Sequence, residues 1–318
     1  MEKKPEFAVE VRNLEKRFGD FTAVNRVNFR IKPGEIFGFL GPNGAGKSTT
    51  IKMLCGILKP TSGEGTVGGY DIIHEQIRIK EHIGYMSQKF SLYDDLTVEE
   101  NINFYSGIYN VPHREERIEG IVKKANLEPF RKMMTGMLSG GWKQRLALVC
   151  ALIHDPNIIF LDEPTSGVDP ITRQTFWDII KYLSKNGITV FVTTHYMDEA
   201  ENCGRMALIY KGNIIAMGTP GEMKTKFMKN EVLSINVPDP EEAAANLSTL
   251  SYIDDVALFG AGIHATVYDS QDAIPRIKKI FQEKKVKDYR VEKIPPSLED
   301  VFVSLIENYD KEHKDEPK

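Results

Sequence analysis

The chain has 318 residues, enough for about two domains, and its 41% hydrophobic, 9% aromatic and 27% charged composition is that of a globular protein. A formal charge of −4 excludes a basic surface on the scale that nucleic acid requires, so no direct nucleic-acid partner is expected and the fold itself must build any anion site. Met1-Glu2-Lys3-Lys4-Pro5-Glu6 has no apolar signal-peptide core and no run approaches the length that spans a bilayer, which predicts a cytosolic chain. Cys55, Cys150 and Cys203 are odd in number, far apart and outside any metal-ligand spacing; they are expected to be reduced and buried.

Glu6 to Arg12 and Val24 to Ile31 alternate apolar with polar residues, with Gly19-Asp20 between them. This predicts half-buried antiparallel strands and a turn. Phe18 stands beside the turn, where its ring either packs in the β layer or offers a face to adenine, a contact worth about 1–3 kcal/mol; the residues leave both open. Ile36 to Leu40 is a continuous apolar run, read as a buried strand, and Ser48 to Leu58 has helical composition. Between them lies Gly41-Pro42-Asn43-Gly44-Ala45-Gly46-Lys47-Ser48-Thr49. A glycine loop between strand and helix turns successive backbone N–H groups toward phosphate, and the helix N-terminus adds its dipole. Lys47 brings a full positive charge to the β- and γ-phosphates, and the Ser48 hydroxyl a ligand for Mg²⁺. ATP and Mg²⁺ are therefore the expected cofactors.

After a turn-rich stretch, Thr61 to Gly69, Ile83 to Met86 reads as a strand ending at Ser87-Gln88. Thr97-Val98-Glu99-Glu100 has capping-box spacing, and Ile102, Tyr105 and Tyr109 recur at helical intervals, opening a helical insertion. Ser139 is placed to cap a helix that begins Gly140-Gly141-Trp142, either as a cap alone or as a second phosphate-binding helix end. Asn157 to Leu161 is an apolar strand that delivers Asp162 and Glu163, and ligands gather at the carboxyl ends of parallel strands. Asp162 suits Mg²⁺, and Glu163 a water aligned on the γ-phosphate. Asp169, followed by Pro170, caps the next helix. Ile188 to Thr193 brings His195 to the same edge, which favours a functional histidine over a structural one.

Taken together these stretches resemble the nucleotide-binding subunit of an ABC transporter. Gly41 to Thr49 corresponds to the Walker A loop, Gln88 to the Q-loop glutamine, Leu138 to Trp142 to the signature, Ile158 to Glu163 to the Walker B strand, Ser166 to Asp169 to the D-loop and His195 to the switch histidine. The resemblance covers roughly the first two-thirds of the chain and assigns Phe18 to the adenine. It implies Glu163 as general base, Asp162, Ser48 and Gln88 at Mg²⁺, Lys47 and His195 on the γ-phosphate, and Gln88 as its sensor. It also implies head-to-tail pairing, in which the loop of one cassette and Ser139-Gly140-Gly141 of another hold each ATP. With one Walker A loop and no internal repeat, the chain needs a second cassette, most simply its own copy. Stand-alone cassettes of drug, polysaccharide and lipid exporters are the nearest pattern, and they imply a separate multi-span permease at the inner face of the cell membrane. The sequence departs from the family at Trp142, where glutamine is usual, and this alters the flank nearest the ribose. A soluble ABC ATPase acting on ribosomes or DNA and a small-molecule phosphoryl-transfer enzyme are the alternatives. The former class usually carries two cassettes or a coiled-coil interruption; the signature and the acid pair disfavour the latter.

The expected fold is α/β, a P-loop cassette with a RecA-like core, an antiparallel β layer and a helical subdomain at about 96–152, together spanning 1–218. Residues 219–310 follow the order βαββαβ, a small α+β ferredoxin-like domain. It closes on a helix after Pro295-Pro296, capped by Ser297, whose stripe Leu298, Val301, Phe302, Leu305, Ile306 and Tyr309 is expected to dock on its own domain. Residues 311–318 are mixed in charge and expected to be a disordered tail.

Overall fold

The computed structural model describes residues 5–228 and 230–313. It divides into two compact units, Met1–Met217 and Gly218–Lys318.

The first unit opens with β1 (Val9–Phe18) and β2 (Phe21–Ile31), antiparallel about Gly19-Asp20. Both run longer than their alternating segments, because irregular pairing between Val11 and Arg17 re-phases the pattern without ending the ladder. β3 (Ile36–Leu40) leads into α1 (Lys47–Leu54). That helix stops short of Leu58: Gly56 turns left-handed at φ 65°, and the Ile57 and Leu58 N–H groups both fold back on the Lys52 carbonyl. β4 (Ser62–Val67) and β5 (Tyr70–Asp71) complete the antiparallel layer in the order β2-β1-β4-β5. α2 (Gln76–His82), absent from the sequence reading, buries only Ile79, so it carries no apolar stripe to reveal it. It precedes β6 (Ile83–Met86).

The helical layer comprises α3 (Val98–Ile108), α4 (Arg114–Lys124) and α5 (Gly140–Leu152). Thr97 and Glu100 form the reciprocal capping box of α3. β7 (Ile158–Asp162), α6 (Pro170–Lys185), β8 (Thr189–Thr194), α7 (Met197–Ala200), β9 (Arg205–Tyr210) and β10 (Asn213–Gly218) follow. The second sheet runs β10-β9-β3-β8-β7-β6, and every pairing from β9 to β6 is parallel. β3, β7 and β8 are buried at every residue, as strands covered on both faces must be. Phe29, Phe37, Phe39, Phe160 and Phe191 meet between the two sheets, with ring centroids 5.4–6.1 Å apart. The three cysteines are free and buried.

The second unit contains α8 (Pro220–Lys226), β11 (Glu231–Asn236), α9 (Pro240–Leu247), β12 (Ile253–Phe259), β13 (Gly262–Val267), α10 (Ser270–Glu283), β14 (Arg290–Ile294) and α11 (Leu298–Glu312). Its sheet order, β12-β13-β11-β14 with each pairing antiparallel, is the ferredoxin-like split βαβ arrangement. β14 begins at Arg290, and ahead of it the Val286 N–H closes the end of α10 on the Phe281 carbonyl. Ser297 and Asp300 cap α11, which buries Leu298 and Val301, and Asp300 Oδ1 lies 2.8 Å from His264 Nδ1 on β13. Lys311 and Glu312, expected in the tail, are helical; residues 314–318 of that expectation lie outside the described residues. Among the described residues no helix is long and apolar enough to cross a membrane.

Candidate functional site

The loop after β3 is shaped by close approach. A Cβ at Gly41 would stand 2.2 Å from the Ile209 carbonyl oxygen, and one at Gly46, where φ is 112°, 2.5 Å from the Ala23 carbonyl oxygen. Neither position admits a side chain, so the loop wraps tightly against β9 and β2. Gly46 has no side chain to cap α1, and the first-turn N–H groups are left to the loop's interior. Pro42 is half-buried, Asn43 and Gly44 are exposed, and Ala45 is buried; Ser48 and Thr49, which open the helix, are half-buried. Lys47 is 4% exposed, and its ammonium is held by the carbonyl oxygens of Gly41 at 2.7 Å and Pro42 at 3.1 Å and by Glu163 Oε1 at 3.1 Å.

β7, β6 and β8 bring the other groups to this point. Asp162 is buried, and its Oδ1 accepts from Ser48 Oγ at 3.0 Å and from Thr193 Oγ1 at 2.8 Å. Glu163 adopts φ 48°, a left-handed conformation that costs a non-glycine residue about 1–3 kcal/mol unless its surroundings hold it there. Here its N–H bonds to both the backbone oxygen and the hydroxyl of Thr193, at 3.2 and 3.0 Å. Its other carboxylate oxygen, Oε2, accepts from Gln88 Nε2 at 3.1 Å and lies 3.3 Å from His195 Nδ1, which lacks hydrogen-bond alignment. Lys47, Ser48, Gln88, Asp162, Glu163 and His195 thus converge. Burying an ammonium and a carboxylate together is tolerable because each has further partners for its remaining donors and acceptors.

Ser48 Oγ and Asp162 present hard oxygen atoms at one place, the donor type Mg²⁺ takes. Among the described residues no group of His, Cys, Asp and Glu is placed to hold a metal unaided.

A second group forms around the start of α6. Asp169 accepts from the Ile171 and Thr172 N–H groups, each at 3.0 Å, and from Thr172 Oγ1 at 2.5 Å. A Cβ at Gly141 would meet Thr172 Cγ2 at 2.8 Å, so the glycine permits α5 to approach α6. Ser139 occupies the cap position of α5, but its side chain makes no capping bond; it and Gly140 are exposed, leaving the first turn open. Phe18 is 50% exposed, with Lys16 Nζ 5.1 Å from its ring centroid, so it is not packed into the β layer. Trp142 lies 4.3 Å from Phe130 by ring centroids, with the Arg145 guanidinium 4.8 Å from its ring. It is therefore a packing residue of the helical layer. Trp142→Gln is expected to destabilise the fold by about 2 kcal/mol, half the cost of emptying a fully buried aromatic site, and to change ATPase rate less than threefold. Thermal melts and steady-state rates check this; a folded variant with no activity contradicts it.

Three residues escaped the sequence reading. Thr193 touches both acids. Gln144, 1% exposed, donates to the Pro164 carbonyl and ties α5 to the loop after Glu163. Glu199, also 1% exposed, accepts from Thr165 Oγ1 at 2.5 Å, and burial pushes its carboxyl above the usual range. The signal available for Thr193 was a pair of threonines directly after the apolar run Val190 to Val192; a glutamine or glutamate inside a helix has no comparable mark.

Comparison with known proteins gives the family. Residues 24–166 match a family model described as ABC transporter. The chain is 51% identical over 237 residues to the probable multidrug ABC transporter ATP-binding protein YbhF of Escherichia coli (strain K12). That alignment covers 74% of this chain but 40% of the relative, so the chain spans less than half its length. With the Nod factor export ATP-binding protein I of Burkholderia orbicola (strain AU 1054) it shares 35% identity over 300 residues, covering 93% of this chain and 96% of the other. A solved dimer of the ATP-binding cassette MJ0796, bound to ADP and Pi, superposes with a TM-score of 0.61 at 30% identity, over 66% of this chain and 98% of that one.

Proposed function

This chain belongs to the ABC transporter ATP-binding proteins, and from that premise we propose that it hydrolyses ATP to drive a separate multi-span permease engaged in export. The observation that carries the reading is the convergence of Lys47, Gln88 and His195 on Glu163, each with a nitrogen 3.1–3.3 Å from its carboxylate. The backbone N–H groups of the Gly41 to Thr49 loop, Pro42 having none, receive the β- and γ-phosphates. Lys47, whose charge Glu163 now balances, turns to the γ-phosphate, and the Glu163 carboxylate becomes free to accept a proton from the attacking water. Ser48 and Asp162 would hold Mg²⁺, with the Gln88 amide oxygen as a further ligand, and the ion would supply charge neutralisation on the phosphate oxygens. His195 contacts the γ-phosphate, and Phe18 presents its exposed ring to adenine.

The open first turn of α5, at Ser139, Gly140 and Gly141, with Asp169 beside it, meets the ATP of a second cassette, a copy of this chain being the simplest partner. ATP binding closes that dimer and hydrolysis reopens it. Export is supported by the names of two relatives, one for multidrug transport and one for Nod factor export. The chain then sits in the cytoplasm, on the inner face of the membrane, through its permease.

The test is to tag the chain, solubilise membranes of the source cell in mild detergent, and identify what co-purifies with Glu163→Gln in ATP. A multi-span membrane protein in stoichiometric amount is expected. Ribosomes or DNA-repair proteins in its place would overturn the transporter reading.

A further inference from the structure

The carboxyl end of β8 carries two consecutive threonines in a fully buried strand, and both hydroxyls are engaged. Thr194 Oγ1 accepts from the Tyr196 N–H at 3.0 Å and closes the turn that carries His195. Thr193 is 0% exposed; its hydroxyl donates to Asp162 Oδ1 at 2.8 Å and accepts from the Glu163 N–H at 3.0 Å. One side chain therefore holds both acids, from the strand position that pairs with Asp162 in the parallel ladder.

The two bonds act differently. Ser48 donates to the same Asp162 oxygen at 3.0 Å. Two donors on Oδ1 fix the plane of the carboxylate and so aim its other oxygen, which a single donor would leave free to rotate. The bond from Glu163 supports its backbone at φ 48°, the conformation from which its side chain reaches Lys47 and Gln88. Valine has the same branched shape and suits a buried strand equally well, so the core alone does not call for a hydroxyl here. Accepting the roles proposed above for Asp162 and Glu163, we infer that Thr193 is a positioning residue for both, orienting the Mg²⁺ ligand and the general base through one hydroxyl.

The experiment compares Thr193→Val and Thr193→Ser with the parent in the full chain. It measures ATP affinity in EDTA, ATP affinity with Mg²⁺, and kcat and KM across Mg²⁺ concentrations. A lost hydrogen bond to a charged group predicts at least a ~10-fold effect. Thr193→Val should match the parent's affinity in EDTA, lose most of the Mg²⁺-dependent gain, need roughly tenfold more Mg²⁺ for half-maximal rate, and fall at least about tenfold in kcat with a smaller change in KM. Thr193→Ser should recover all of these, since it restores the hydroxyl and lacks only the methyl. If valine does not fold, Thr193→Ala against Thr193→Ser makes the same comparison. A valine variant with parental Mg²⁺ dependence and kcat overturns the inference while leaving the proposed function intact. Equal loss in the serine variant, with weakened binding in EDTA, also overturns it by marking a packing role. A parent chain that does not turn over ATP overturns the proposed function and the inference together.

Discussion

Glu163→Gln is expected to bind ATP with nearly parental affinity and to hydrolyse it at least ~100-fold more slowly, the lower end of what a positioned general base contributes. The amide has the shape of the carboxylate and keeps one oxygen to accept from the donors around it, but it does not take a proton from water at neutral pH. Lys47 retains the Gly41 and Pro42 carbonyl oxygens, so the phosphate loop keeps its form. Hydrolysis opens the proposed dimer, and a variant that binds without hydrolysing should accumulate it closed. Phosphate release gives the first result and size-exclusion chromatography with and without ATP the second. A variant turning over at the parental rate would remove Glu163 as the base.

Lys47→Ala is expected to weaken ATP binding at least ~30-fold, the lower bound for truncating one member of a buried, hydrogen-bonded charge pair. The free protein should suffer as well. Glu163 is buried, and Lys47 is the full cation on its Oε1; stripping a buried charge of its partner costs about 3–5 kcal/mol. Gln88 still donates to the other oxygen, which places the expected cost at the lower end, about 3 kcal/mol. For a unit of this size that is a fall in Tm of roughly 6–12 °C. Lys47→Ala combined with Glu163→Gln should be more stable than Lys47→Ala alone, because the stranded charge is gone. Calorimetry of the single and double variants, with ATP titrations, reads both effects; a Lys47→Ala melt identical to the parent would show that the pair contributes nothing to the fold.

Some of this was legible because it depends on neighbours in sequence. The glycines around Lys47 lie between an unbroken apolar strand and a helix start, and Thr97 and Glu100 announce their capping box by spacing alone. Ser139 shows the limit of such reasoning: its position is that of a cap, yet its side chain makes no capping bond. Trp142 shows another, since only its packing against Phe130 and Arg145 reveals what it does. Phe18 stood undecided on the residues alone; the family resemblance assigned it to adenine, and its half-exposed ring is not packed into the β layer.

By itself the sequence determined the inventory of reactive groups and the strand, loop and helix each stands on, since hydrophobic period, glycine placement and capping are short-range properties. The tertiary structure decided which groups meet. Ser48 and Asp162 are 114 positions apart, and Gln88 and Glu163 are 75 apart. They touch because β3, β8, β7 and β6 pair in parallel and end at one edge. The left-handed turn of Glu163 and its grip by Thr193 belong to that same decision. A strand has no local signal for the residue it will face across the ladder, and only burial of both sheet faces selects the pairing that puts Thr193 against Asp162.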